Sequence, residues 1–222
     1  MLTAAAPMFL LAAVAFSQAA QGRHPVSGRP YAGVMGTAGA DWLVRPERAE
    51  EEQPDKAIAL LGIAKGATVA DIGAGNGYMT WRLAERVGPA GKVFANDIQP
   101  AMLAMLRANM RQRRLNNVET VLGTYDNPKL PANAMDLVLL VDVYHEFSEP
   151  QKMLRRIREA LKPDGRLVLL EYRGEDPAVP IRPEHKMTVA QVRAELEPEG
   201  YRVDRVLEDL PRQHILIFQK TP

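Results

Sequence analysis

Val69-Ala70-Asp71-Ile72-Gly73-Ala74-Gly75-Asn76-Gly77-Tyr78 is the stretch on which the fold turns. An apolar run of strand character feeds directly into three glycines at alternate positions, and a helical pattern opens at Tyr78. Glycines at such a junction let backbone approach a ligand and adopt conformations that a Cβ forbids. In open α/β sheets, ligands sit at the carboxyl ends of the strands, where the strand order reverses. A diphosphate-binding fingerprint would read G-x-G-x-x-G, whereas here the spacing is G-x-G-x-G and Tyr78 occupies the third-glycine position. Asp71, two residues before the first glycine, suits a cationic or amine-bearing ligand better than a diphosphate.

Outward from the loop, strands and helices alternate. Apolar runs with β-branched residues fall at 68–72, 92–96, 118–122, 135–141, 166–171, 201–207 and 214–218. Helical spacing fills the gaps at 78–87, 100–115, 151–161 and 189–196. Met102, Leu103, Leu106 and Met110 share one face of the second helix, and Met153, Leu154, Ile157 and Leu161 one face of the third. Lys162-Pro163-Asp164-Gly165 closes that third helix with a stop and a turn. A further helix is expected from Pro46, with Ala57, Leu60 and Leu61 on its apolar edge and Gly62 and Gly66 ending it. Nearly continuous apolar strands alternating with helices predict a mostly parallel, doubly wound seven-stranded sheet with helices on both faces. The last connection, from Glu208 to Gln213, is too short for a parallel crossover, so the last strand is expected to run antiparallel.

Composition narrows the function classes. Of 222 residues, 46% are hydrophobic and 25% charged, as in an ordinary globular chain with a real core. Lys and Arg number 28 against 27 Asp and Glu, a net +1, without the cationic excess that phosphate backbones select. Nucleic acid is therefore not an expected partner. The absence of cysteine excludes disulfides, thiolate metal sites and cysteine nucleophiles, and no metal site is expected. Arg111, Arg113 and Arg114 cluster at a helix end, where the dipole favours cations.

Residues 4–16 (AAAPMFLLAAVAF) carry no charge and precede Ser17-Gln18-Ala19-Ala20. The run falls short of the roughly 20 residues that span a bilayer. It reads as a signal peptide over 1–19, cleaved after Ala19, although no cation precedes it. Export to the periplasm or medium is the expectation, against a cytoplasmic protein with a docked apolar N-terminus. No second such run follows, so the mature body is not expected to insert stably in a membrane. Residues 20–45, rich in Gly and Pro, read as irregular chain over the domain, which occupies 46–222.

The motif Asp71-x-Gly73-x-Gly75-x-Gly77 resembles motif I of the class I S-adenosylmethionine-dependent methyltransferases, and the likeness continues in order downstream. Phe94-Ala95-Asn96-Asp97-Ile98 resembles the end of that family's second strand, whose acid holds the ribose hydroxyls with two acceptor oxygens. Leu122-Gly123-Thr124-Tyr125-Asp126 stands where the family contacts adenine. Residues 136–142 resemble strand four, and 161–167 the turn before strand five. The resemblance covers residues 54–220 and implies a Rossmann-like fold, S-adenosylmethionine as cofactor, and binding through Asp71, Gly73, Gly75, Gly77, Asp97, Ile98, Thr124, Asp126 and Asp142. Plainer readings stand beside it: Asp97 as a helix cap, and Thr124 and Asp126 as a turn before Pro128.

Strand four ends in Asp142-Val143-Tyr144-His145-Glu146-Phe147, where the family places groups beside the methyl and its acceptor. His145 is the best-placed general base, because its ordinary pKa near 6.5 suits neutral pH, and Glu146 can orient it or take a proton itself. Packing at a strand end is the competing reading for both. Asp142 can meet the amino-acid end of the cofactor. Trp42-Leu43-Val44-Arg45 through Arg48, and Glu184-His185-Lys186-Met187, are candidate lids, with an arginine on the cofactor carboxylate, or else solvated surface. The resemblance implies a small-molecule acceptor, with a lipophilic quinone-type ring as one example of the class. The Asn/Asp-Pro-Pro-aromatic signature of amide and adenine methylation is missing from strand four. A non-catalytic nucleoside-binding protein of the same fold is the alternative, and the glycine spacing disfavours a nicotinamide-dependent oxidoreductase.

Overall fold

The computed structural model describes residues 22–221; the apolar run at 4–16 and the signal reading built on it lie outside them. The alternation becomes one sheet. Its strands are β1 (Thr68–Ile72), β2 (Lys92–Asp97), β3 (Val118–Leu122), β4 (Met135–Val141), β5 (Leu161–Arg173), β6 (Lys186–Met187), β7 (Tyr201–Leu207) and β8 (Gln213–Lys220). They lie in the order β3-β2-β1-β4-β5-β8-β7, with the two-residue β6 paired to the end of β5. Strands β1 to β5 are parallel, and β8 runs antiparallel to both β5 and β7. The seven expected strands are thus present, and β6 adds an eighth too short to show in a periodicity.

The chain builds outward from β1 to β3, then returns to place β4 on the other side of β1. That reversal opens a crevice at the carboxyl ends of β1 and β4. Along β4, Leu137 and Leu139 join the core on one face, while Val138 and Leu140 join the core on the other. Both faces are covered, which is why the strand reads as an unbroken apolar run.

The helices are α1 (Arg48–Glu52), α2 (Pro54–Leu60), α3 (Thr80–Val87), α4 (Pro100–Gln112), α5 (Pro150–Ala160) and α6 (Val189–Leu196). The expected apolar stripes are buried: Met102, Leu103, Leu106 and Met110 on α4, and Met153, Leu154 and Ile157 on α5. Thr188 and Gln191 form a reciprocal capping box at the start of α6. The single helix expected from Pro46 is two. Gln53 takes a left-handed φ of 46° between them, a conformation that commonly ends a helix, and Pro54, with no N–H to continue the ladder, opens the next.

Residues 22–45 form a strap across the crevice. The Arg29 guanidinium forks onto the buried carboxylate of Glu195 in α6, at 2.8 and 3.0 Å, and donates to the His145 carbonyl at 2.9 Å. The Ala32 N–H reaches the same carbonyl at 3.1 Å. Farther along, Gln99 donates to the Met35 carbonyl and Asn76 to that of Ala40. Glu195 is fully buried, so removing its main cationic partner leaves a charge stranded away from water. Arg29→Ala is expected to lower unfolding stability by about 3 kcal/mol, the usual cost of breaking a buried pair from one side. A urea midpoint unchanged from that of the parent would show that the strap is not clamped this way.

Candidate functional site

A cavity of about 560 Å³ lies at the carboxyl ends of the parallel strands, roofed by the strap. Gly73, Gly75, Asp97, Ile98, Asp142, His145 and Glu146, all expected site residues, line it together. Gly73 has φ +70°, and a Cβ there would stand 2.4 Å from Val143 Cγ2, so no larger residue fits the turn. Gly77, at φ +92°, packs instead against Leu106 and Met110 of α4, bringing helix and loop together behind the cavity wall.

Asp97, the last residue of β2, accepts the Gly75 N–H at 2.9 Å on one oxygen and the Gln99 N–H at 2.8 Å on the other. Burial raises its pKa, against the pull of these backbone donors. A carboxylate has about four acceptor positions, so the loop-holding bonds leave both oxygens able to take further donors from the cavity. The capping and ligand-facing readings of Asp97 are therefore compatible. Asp71 is not among the lining residues. It lies buried under the loop and accepts the Thr80 hydroxyl at 2.6 Å. Thr124 and Asp126 bond each other at 2.7 Å in an exposed turn; between them Tyr125 reaches the cavity.

Asp142 follows β4 in a left-handed conformation, φ 50°. One of its oxygens accepts Gln213 at 2.7 Å, while the other is buried without a hydrogen-bond partner among the described residues. Burial and the nearby Glu52 and Glu171 carboxylates raise its pKa, against the opposing pull of Arg48 and of the Gln213 hydrogen bond. Arg48 lines the same cavity, held by Glu52 at 2.7 Å and by the Leu43 carbonyl at 2.8 Å. Tyr172 donates to the second Glu52 oxygen at 2.7 Å.

His145 sits on a single 3-10 turn, Tyr144–Glu146, with its Nδ1 at 2.6 Å from the buried Glu171 carboxylate and its Nε2 at 3.1 Å from Nδ1 of His185. Burial disfavours the His145 cation, but Glu171 outweighs it and raises the pKa. His185 is pushed down to about 4 by burial and by the neighbouring His145. Glu146 is pushed up to about 7 by burial. His145, Glu146 and His185 each offer one potential ligand atom, all within 4.8 Å of one another. Both expected lids reach the cavity, through Trp42, Leu43 and Arg48 on one side and His185 on the other.

Sequence reasoning did not single out Glu171, which closes the chain to His145. Its signal was present: an acid ending the apolar run Leu167-Val168-Leu169-Leu170 is a charge on a strand buried on both faces.

The profile of the family described as "Methyltransferase domain" matches residues 63–208. The chain belongs to this methyltransferase family. Its loop, crevice and strand order are those of the family fold. A solved structure titled as a S-adenosylmethionine-dependent methyltransferase from Aquifex aeolicus superposes with a TM-score of 0.79 at 29% identity, covering 83% of this chain and 98% of that one. A type 11 methyltransferase structure from Sulfolobus solfataricus, at 20% identity and TM-score 0.62, covers 78% of this chain and 94% of its own and shares the fold. Among curated proteins, the ubiquinone/menaquinone biosynthesis C-methyltransferases of Salmonella arizonae and Salmonella newport are 35% identical over 116 residues, 52% of this chain and 46% of theirs. The chain thus spans about half the length of these curated relatives.

Asp71 makes the methyltransferase domain pH-sensitive in a way that isolates its role. Burial raises its pKa from 3.8 to about 7, with the Asp97 charge adding and Thr80 opposing. The folded state therefore keeps a proton that the unfolded chain releases near pH 4. Stability contributed by protonated Asp71 is complete below pH 4 and is lost as pH rises towards 7, about 4 kcal/mol in all for a shift of about three units. Asp71→Asn is expected to flatten this part of the profile. Parallel urea-stability curves for parent and variant between pH 4 and 7 would contradict the assignment.

Proposed function

We propose that this chain transfers the methyl group of S-adenosylmethionine to a small acceptor with an apolar body. Asp142 carries the reading. A buried carboxylate oxygen without a partner, in the cavity wall beside Arg48, suits the zwitterionic end of an amino acid: ammonium towards Asp142, carboxylate towards Arg48. Asp97 is suited to the ribose hydroxyls, and the Gly73–Gly75 backbone to close contact with the nucleoside. Ile98 and Tyr125 supply apolar and aromatic surface where the adenine is expected, with Thr124 and Asp126 shaping the turn that presents Tyr125. Asp71 is assigned an indirect part, securing the loop through Thr80.

When bound, the cofactor supplies a methyl on a sulfonium whose charge disperses during transfer, so the chain's task is alignment in a dry pocket. Met35, Phe147, Met153 and Ile181 give the acceptor an apolar wall, and His145 and Glu146 stand on that side as the groups that deal with an acceptor proton. The similarity to C-methyltransferases of ubiquinone and menaquinone biosynthesis favours a quinone-type ring and a carbon target. Among the described residues no helix is long and apolar enough to cross a membrane. Export remains part of the proposal on residues 4–16 alone, and N-terminal sequencing of protein from its host tests it.

Calorimetry with S-adenosylhomocysteine is expected to give saturable binding, weakened roughly 10- to 100-fold in Asp97→Ala, the loss of a hydrogen bond to a charged group. S-adenosylhomocysteine release with phenolic and quinol acceptors then tests turnover. No binding, or equal binding in the variant, removes the cofactor assignment; binding without turnover on any acceptor makes the chain a nucleoside-holding protein.

A further inference from the structure

We infer that His145, His185 and Glu146 form a site for one divalent first-row transition-metal ion in the acceptor half of the cavity. His145 is oriented as a metal-binding histidine is: its Nδ1 is engaged by the buried Glu171 carboxylate at 2.6 Å. That bond places the ring hydrogen on Nδ1 and leaves the Nε2 lone pair free to coordinate. Nε2 stands 3.1 Å from His185 Nδ1. Metal–imidazole bonds of ~2.1 Å place neighbouring ligand atoms roughly 3.0–3.4 Å apart in octahedral or tetrahedral geometry, so the observed spacing is that of adjacent ligands on one ion. Glu146 follows His145 on the same turn and brings a carboxylate oxygen within 4.8 Å of both nitrogens. A carboxylate has about four acceptor positions, which gives Glu146 capacity for a cation.

Two imidazoles and one carboxylate select zinc, cobalt, nickel, iron or manganese over magnesium and calcium, which prefer all-oxygen shells. Three protein ligands leave coordination positions open towards the cavity that all three line. On the methyl-transfer reading, on which this part rests, such an ion specifies the acceptor class: molecules with a hydroxyl or carbonyl oxygen beside the atom to be methylated. His145 then acts as a ligand, with Glu171 as the residue that positions it.

The test uses the full chain, free of any polyhistidine tag and stripped with chelator, titrated with cobalt(II). One ion per chain is expected, with visible d–d absorption and displacement by zinc. His185→Ala and Glu146→Gln should each weaken binding at least tenfold, and Glu171→Gln by roughly 10- to 100-fold. Far-UV circular dichroism and melting temperature establish that each variant is folded. Absence of stoichiometric binding would mean that a shared proton alone joins the two histidines, and would overturn the site; so would binding indifferent to both His185→Ala and Glu146→Gln. Calorimetry with S-adenosylhomocysteine on the same samples separates the two readings. Nucleoside binding without cobalt binding sinks only the metal site, and cobalt binding without nucleoside binding sinks only the methyl-transfer assignment.

Discussion

Four carboxylates gather at one end of the sheet: Asp71 on β1, Asp97 ending β2, Asp142 just past β4, and Glu171 on β5. All but Asp142 are buried to within a few per cent of complete exclusion from solvent, and the unpartnered Asp142 oxygen is buried as well. Like charges at low dielectric repel strongly, and each loses its hydration. The architecture meets this cost differently at each site. Thr80 donates to Asp71, two backbone N–H groups to Asp97, Gln213 to half of Asp142, and the Tyr144 N–H with His145 to Glu171. Only Asp142 is left incomplete. An acid left incomplete in this way has room for a further donor from the cavity.

The strap ties this electrostatic arrangement to the cavity's upper wall. Arg29 and Ala32 converge on the carbonyl of His145, so the N-terminal segment holds the very turn whose side chains line the cavity. Gln99, beside Asp97, is bonded to the strap at Met35, and Asn76 of the glycine loop at Ala40. Strap, loop and β4 turn therefore form one hydrogen-bonded unit. Loosening the strap would disturb Asp97, the glycine loop and the His145 turn together.

The sheet, its antiparallel last strand and the helix faces were legible because their signals are local: an apolar run, a period, a turn. Asp97 and Asp142 were legible because each ends a strand whose neighbours mark it. Glu171 was not singled out, since its importance depends on a register: β5 pairs beside β4, so the residue facing His145 is fixed by pairing and not by spacing. His185 and Arg48 were read only as parts of lids. Their approach to His145 and Asp142 closes over sequence separations of 40 and 94 residues, and no periodicity encodes such meetings. The split at Gln53 was readable in Pro54, since the apolar edge of Ala57, Leu60 and Leu61 lies wholly beyond it.

On the proposed methyl-transfer reading, selectivity has a different address from binding. Residues suited to the nucleoside lie on the strand ends, rigidly held by the parallel sheet: Gly73, Gly75, Asp97 and Asp142. The apolar wall, by contrast, is contributed largely by connecting segments, with Met35 from the strap, Phe147 from the β4 turn, and Pro180 and Ile181 from the loop before β6. Loops can exchange side chains without disturbing the core, whereas a change at Gly73 would drive a Cβ into Val143. The strand-end part of the cavity is therefore structurally constrained, and the part lined by connecting segments is free to vary. On the proposed methyl-transfer reading, acceptor identity is written in the strap and the β5–β6 loop more than in the motifs that make the fold recognisable.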